Sequence, residues 1–273
     1  MSGRGFRCAE SWNPGPQRDV DTEGSLRLSV IIPTFDEADT LSGCVASVRS
    51  VIAQCEIVVA DGGSRDGTLA RARSLAGVLA LVAPRGRGPQ LNAGAAAASG
   101  DVLLFLHADT RLPADAEALV RSALADPGVV GGSFFLGFDS PHPLLRLSSL
   151  ASRLNRSWAT YGDQGFFFRR EIFERLGGFA PIPLFEDVEF QSRVRRLGRC
   201  VKIQRPVTSS ARRFLRVGIA RQQLINLMLV TAYHLGASPH WLARWYERGS
   251  LRPPSKRPPA PGEELVSSTD ART

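Results

Sequence analysis

The chain has 273 residues, with 34 Lys and Arg against 26 Asp and Glu and a formal net charge of +8. Hydrophobic residues make up 43% and charged residues 22%, a globular balance in a chain long enough to bury a sizeable core, which excludes a wholly disordered, collagen-like or disulfide-scaffold protein. Cys8, Cys44, Cys55 and Cys200 form no C-x-x-C pair and have no histidine beside them at metal-ligand spacing, so reduced thiols in a cytoplasmic protein are expected.

Residues 1–25 mix Gly, Pro and charge without periodicity and predict no regular structure; they also lack the apolar stretch of a signal peptide. LSVIIP at 28–33 reads as a buried strand. Apolar spacing at Leu41, Val45, Val48 and Ile52 predicts a helix over 39–53. EIVVA at 56–60 is a second strand, 66–75 a helix, VLALV at 78–82 a third strand, 90–99 an Ala-rich helix, DVLLFL at 101–106 a fourth strand and 114–125 a helix. Four apolar strands separated by short helices predict an α/β fold with a mostly parallel sheet flanked by helices.

Further on, a strand is expected at 129–138, a helix at 144–158, a short strand at 165–168 followed by a helix from Arg170, and a helix at 186–197 that opens with two acids, as its dipole prefers. Residues 193–221 carry ten basic residues and no acid. A largely apolar helix is expected at 217–235, interrupted by Arg221, Gln222, Gln223 and Asn226 and so too polar to span a bilayer. From 249 onward the Pro-rich RPPSKRPPAPGEE predicts no regular structure. The expected organisation is a domain at 26–212, a helical extension at 213–248 and unstructured ends at 1–25 and 249–273.

Parallel sheets bind ligands beyond the carboxyl ends of their strands. The sets at those ends are Pro33-Thr34-Phe35-Asp36-Glu37, Asp61-Gly62-Gly63-Ser64, Arg85-Gly86-Arg87-Gly88 and His107-Ala108-Asp109. Asp61 followed by two glycines suits either acceptance of a base imide or ribose hydroxyl, or a tight turn with a helix cap. Asp109 at a strand end can hold Mg²⁺ or Mn²⁺ shared with substrate phosphates, or cap the next helix. Arg85, Arg87 and Asn92 in PRGRGPQLNAGAA suit phosphate oxygens approached over a glycine backbone, or a solvated surface loop. Asp163 and Gln164 in YGDQG suit a pocket lining or a turn. Glu186-Asp187 suit a general base, or only a helix dipole.

Order and spacing add to these readings. SVIIPTFDEADTL, EIVVADGGSRDGT, LNAGAAAASGDVLLFLHADT and GGF…FEDVEFQSRVRRLG together resemble the family 2 glycosyltransferases of the GT-A fold, over residues 28 to 200. Within them, RGRGPQLNAGA, FLHADTRLP and YGDQGFFFRR look like a bacterial "transferase 2, radical-SAM/selenodomain-associated" subgroup. The resemblance implies inverting transfer of a sugar from a nucleotide-diphosphate donor, with a lean to UDP, onto an acceptor hydroxyl, with a divalent metal. By motif position, Pro33, Thr34 and Glu37 line the nucleotide pocket, Asp61 meets the base, Asp109 binds metal and Asp187 is the general base with Glu186 beside it. Arg85, Arg87, Asn92, His107 and Ala108 fall in the donor site, Asp163 and Gln164 on the acceptor side. Two motifs depart from the family pattern: Ala60 stands where D-D-G-S has its first acid, and His107 where D-x-D has its first.

Those departures keep open a non-catalytic nucleotide-sugar sensor. A nucleotidyltransferase fits less well, since PTFDEADT after the first strand has no glycine. A dinucleotide-dependent dehydrogenase is disfavoured because no G-x-G-x-x-G follows a strand. The basic C-terminal part suits a membrane surface and a lipid-linked acceptor on the inner face of the cell membrane, or packing on the core with solvated arginines. No nucleic-acid-binding module accompanies the charge.

Overall fold

The computed structural model describes residues 26–156 and 160–248. The two terminal segments for which the sequence predicts no regular structure lie outside the described residues, as does Cys8.

The first half is a run of strand and helix in alternation: β1 (Leu28–Thr34), α1 (Ala38–Val51), β2 (Cys55–Asp61), α2 (Thr68–Ser74), β3 (Val78–Val82), α3 (Arg87–Ala97) and β4 (Val102–Phe105). β2 and β4 pair in parallel on either side of β1, and β3 pairs in parallel with β2. The register sets Val30 opposite both Ile57 and Leu104, and Thr34 opposite Asp61. The carboxyl ends of β1, β2 and β4 therefore share one edge, where the acids of the sequence motifs gather.

Near-continuous apolar runs build β1, β2 and β4 because both sheet faces are covered there. Val30 and Ile32 face one core cluster with Leu41, Val45 and Val48 of α1. Ile31 faces the other, with Leu91 and Ala95 of α3 and a nest of Phe105, Phe168, Phe173, Phe179 and Phe190. The helix α3 lies so close to β1 that a Cβ on Gly94 would stand 2.5 Å from Ile31 Cγ2.

The second half adds β5 (Thr110–Arg111), α4 (Ala116–Leu124), β6 (Val129–Phe138), α5 (Pro143–Ser152), β7 (Phe166–Arg169), α6 (Arg170–Arg175), α7 (Glu186–Leu197), β8 (Arg199–Ser209), α8 (Arg212–Val217), α9 (Ile219–His234) and α10 (Pro239–Arg248). The eight-stranded order is β3-β2-β1-β4-β7-β6-β8-β5. β7 is antiparallel to β4 and β6, β8 runs parallel to β6, and β5 closes the edge antiparallel to β8. The mostly parallel α/β sheet flanked by helices is thus present, and every antiparallel pairing involves a strand built from 110 onward.

The structure refines three of these readings. The helix expected at 144–158 ends at Ser152, and Trp158 lies outside the described residues. The apolar helix expected at 217–235 is present as α9, Ile219–His234, and begins after Gly218, whose φ of 96° suits glycine and separates it from α8. The basic run at 193–221 contains a complete strand, β8, whose Cys200, Val201, Lys202, Ile203 and Val207 are all buried. The described cysteines Cys44, Cys55 and Cys200 are free thiols.

Candidate active site

Thr34 and Asp61 meet at the tips of β1 and β2. The Asp61 carboxylate accepts from the Thr34 hydroxyl at 3.0 Å, from the Gly63 N–H at 3.0 Å, from the Ser64 N–H at 2.9 Å and from the Ser64 hydroxyl. Both of its oxygens are engaged in the turn that its neighbours build, the Asx pattern that Asp-Gly sequences favour. Gln90 of α3, which sequence reasoning missed, closes the same edge: its Nε2 donates to the carbonyls of Thr34 at 2.6 Å and Ala60 at 2.9 Å. It lies in the motif string between Arg87 and Asn92, where a buried amide has no sequence signature.

The second group forms where α7 begins. Phe185, with φ of 65°, caps the helix, and the turn points both Glu186 and Asp187 inward, where they are 1% and 3% exposed. Arg87, the first residue of α3, reaches both: its Nε donates to Glu186 Oε1 and its Nη2 to Asp187 Oδ2 at 3.5 Å. Burial works against the Arg87 charge, but Glu186 and Asp187 outweigh it and hold the guanidinium more firmly protonated than usual. Burial raises the Glu186 carboxyl, with Arg87 pulling the other way. Asp187 Oδ2 also accepts the Gly162 N–H at 2.5 Å, and its Oδ1 accepts the Val188 N–H at 2.8 Å.

Three buried polar atoms around this cluster have no hydrogen-bond partner: His107 Nε2, Asp163 Oδ1 and Glu186 Oε2. A Cβ on Gly162 would stand 3.1 Å from Asp187 Oδ2 and 3.6 Å from His107 Nε2, so glycine leaves that gap open. Burial and the Arg87 charge push the His107 imidazole down to about 3, which makes it neutral. Burial and Asp187 push the Asp163 carboxyl up to about 6. Unpaired buried polar atoms are rare because each forfeits its hydration, so three of them near the sheet's carboxyl edge make this the candidate site.

The third group is Glu37, Asp109 and Arg212. Arg212, at the start of α8, pairs with Glu37 Oε2 and lies 3.6 Å from Asp109 Oδ2. Glu37 Oε2 also accepts from the Thr40 hydroxyl at 2.7 Å. Burial and Glu37 raise the Asp109 carboxyl, with Arg212 opposing them. Arg212 was missed because nothing in the basic run distinguishes it from its neighbours.

Among the described residues no three His, Cys, Asp or Glu side chains come together as a closed metal cage. The donors present suit a different kind of site. Asp109, with the unpartnered Asp163 Oδ1 in the same region, would offer few protein oxygen ligands and leave the rest to water and phosphate, as Mg²⁺ prefers.

The remaining motif residues stand apart. Arg85 lies over the Phe35 ring at 4.1 Å. Asn92 is spent on the backbone of Phe179, donating to its carbonyl at 2.8 Å and accepting its N–H at 2.9 Å, so it anchors the turn ahead of α7. Pro33 is half-buried between the buried Ile32 and Thr34 of β1, and Ala108 is buried within the His107–Asp109 turn. Gln164 is buried and faces away to a further missed residue, Lys202 of β8, whose Nζ donates to Gln164 Oε1, to Ser133 Oγ at 2.7 Å and to the Phe134 carbonyl at 3.3 Å. Lysine is rare in this chain, which has only Lys202 and Lys256; that rarity was the available signal.

Residues 29–177, more than half of the chain, match the sequence pattern of glycosyl transferase family 2. The chain belongs to that family. The family match carries no assignment to the smaller subgroup. The chain is 31% identical over 171 residues to a PGL/p-HBAD biosynthesis glycosyltransferase of Mycobacterium bovis, covering 56% of this chain and 62% of that protein. It therefore spans less than two thirds of the length of that curated relative. Among solved structures, it resembles the mannosyltransferase PcManGT from Pyrobaculum calidifontis in complex with GDP-Man and Mn²⁺, at 24% identity over 89% of this chain and 73% of that one, with a TM-score of 0.56. It also resembles S. aureus TarS 1–349 in complex with UDP-GlcNAc, at 14% identity over 68% of this chain and 58% of that one, with a TM-score of 0.57. At these identities the likeness establishes the GT-A glycosyltransferase fold.

Proposed function

We propose that this family 2 member transfers a sugar from a nucleotide-diphosphate donor, a UDP-sugar first among candidates, to an acceptor hydroxyl with inversion. The observation that carries the reading is Asp187: a buried carboxylate at the carboxyl edge of the sheet, held by the Gly162 N–H and Arg87, beside three unpartnered polar atoms. Structural neighbours bound to GDP-Man and to UDP-GlcNAc support a nucleotide-sugar as the donor class.

Asp187 takes the proton of the acceptor hydroxyl as it attacks the anomeric carbon from the face opposite the leaving diphosphate. A base so placed must be fixed before the acceptor arrives, and Gly162 and Arg87 fix it. Glu186 anchors Arg87 and thereby the Asp187 side chain. The Asp61 turn and Gln90 hold the β1–β2 edge on which the nucleotide rests, with Pro33 and Thr34 beneath it. Asp109 would hold a Mg²⁺ or Mn²⁺ ion, which supplies charge neutralisation to the leaving diphosphate when bound. His107, neutral in this site, lines the same edge without adding a charge against that ion. The domain at 26–212, with Arg212 at its last position, carries this chemistry, and 213–248 is a helical extension.

One observation favours the sensor reading: an arginine stands over each key acid, Arg87 at Asp187 and Arg212 at Asp109. A thermal-shift panel of UDP-, GDP- and dTDP-sugars, each with Mn²⁺, Mg²⁺ or EDTA, tests the proposal, since a bound donor raises the melting temperature by mass action. A metal-dependent shift with one nucleotide class, together with slow metal-dependent hydrolysis of that donor, is expected. A shift without any turnover would favour the sensor, and no shift with any donor would sink both readings.

A further inference from the structure

The outer surfaces of α5 and α9 expose leucines that the core does not use. Leu147 and Leu227 are each 63% exposed, and Leu224 is 58% exposed. The two helices meet where Gln223 Nε2 donates to Ser148 Oγ at 2.7 Å. Residues three and four apart share a helix face, so Leu144 and Ala151 on α5, and Ala220 and Leu227 on α9, flank that seam, and all four are exposed. Leu147 and Leu150 extend the apolar strip on one side and Leu224 on the other. Arg146 lies one turn from Leu150 and Arg221 one turn from Leu224, so an exposed arginine borders each outer margin.

The charge around this patch is one-sided. Residues 140–162 and 190–246, which contain α5, α8, α9 and nearly all of α10, hold no Asp or Glu. The helix α10 packs on α9 through Leu242 against Ile225 and Leu229. It presents Trp241 and Trp245, one turn apart and 53% and 38% exposed, with the exposed Arg244 between them. Leucines bordered by arginines, with indoles beside them, suit the boundary between anionic headgroups and acyl chains. No described helix is long and apolar enough to cross a bilayer, so these helices would lie on its surface.

We propose that the α5–α9 face, with α10 beside it, docks on an anionic phospholipid bilayer. The proposal does not depend on the glycosyl-transfer reading. It is tested by flotation of the full chain with vesicles of phosphatidylcholine alone and of phosphatidylcholine with phosphatidylglycerol, alongside light scattering for oligomeric state. Flotation on the phosphatidylglycerol vesicles is expected, weaker on phosphatidylcholine, and reduced by about tenfold or more in the Leu147→Glu/Leu227→Glu variant at unchanged melting temperature. If that pair lowers the melting temperature, Leu150→Glu/Leu224→Glu replaces it under the same expectation. The proposal falls if the wild type floats on neither vesicle or if wild type and variant float equally. It also falls if the leucine substitutions dissolve a concentration-dependent dimer, which would make a second copy the occupant. Flotation that appears only after removal of 249–273 would assign the face to the chain's own tail and overturn the proposal too.

Discussion

The backbone N–H of Gly162 donates to Asp187 Oδ2 at 2.5 Å, so a residue 25 positions earlier fixes the proposed base. Asp187→Asn should lower transfer by about 10²- to 10⁴-fold, the usual contribution of a positioned general base. Donor affinity by titration should stay within about threefold of wild type, because the nucleotide rests on the β1–β2 edge and not on α7. Near-normal turnover in Asp187→Asn would remove the base assignment.

Gly162 offers a subtler version of the same test. A Cβ there would press on Asp187 Oδ2 at 3.1 Å and on His107 Nε2 at 3.6 Å. Gly162→Ala should leave the melting temperature close to wild type, since the loop is short and the displacement is a few tenths of an ångström. Turnover should fall, by about tenfold or more, because small misplacements of a reacting group are costly in rate. An unchanged kcat would mean that Asp187 needs no such positioning.

At Asp109 the prediction concerns metal. Asp109 lies 3.6 Å from Arg212, a partly exposed pair of the kind that contributes little to stability. Asp109→Ala should therefore melt within a degree or two of wild type without ligand, roughly what a contribution under about 1 kcal/mol allows. With a donor and Mn²⁺ present, the variant should lose the metal-dependent part of the thermal shift. If EDTA removes as much stabilisation from Asp109→Ala as from wild type, the ion sits elsewhere.

Much of this was legible in the sequence. β1, β2 and β4 read correctly because strands buried on both faces are uninterrupted apolar runs. β3 reads as a strand by its apolar run although it lies at the sheet edge with Leu79 and Val82 exposed. The acids after β1, β2 and β4 fall where parallel sheets present ligands. Asp61 and Asp187 stood out by their place at strand and helix ends. β8 was hidden because Arg199, Lys202 and Arg205 break its apolar pattern, although Lys202 is buried against Ser133 and Gln164. Arg212 and Gln90 were illegible for a different reason. Their roles come from partners 175 and 56 residues away, and a single sequence carries no sign of such pairs.

Asn92 is a motif residue whose amide the fold itself uses. Its amide holds both backbone groups of Phe179, and Phe179 packs into the aromatic nest beneath α7. Asn92→Ala should destabilise the fold by about 1–3 kcal/mol, the penalty for buried backbone groups left unpaired. Donor affinity measured well below the melting temperature should be nearly unchanged. A large loss of donor affinity in a variant of wild-type stability would restore Asn92 to the nucleotide pocket.

Lys202 gives a pH signature. Burial and the nearby Arg195 push its ammonium down to about 7 from 10.5, while Asp163 and Cys200 pull weakly the other way. The folded state has therefore released this proton above about pH 7, whereas the unfolded chain keeps it until near 10.5. Stability rises with pH wherever the unfolded state binds more protons, so the burden of burying this charge is full below pH 7 and is relieved between pH 7 and 10.5. In Lys202→Met that dependence disappears. Urea unfolding of both proteins from pH 7 to 9.5 should show the wild type gaining on the variant by an amount on the order of a few kcal/mol across the window. The comparison between the two proteins cancels the titration of groups they share. A flat difference would mean that Lys202 stays charged when buried, its ammonium held by the Gln164 side-chain carbonyl, the Ser133 hydroxyl and the Phe134 carbonyl.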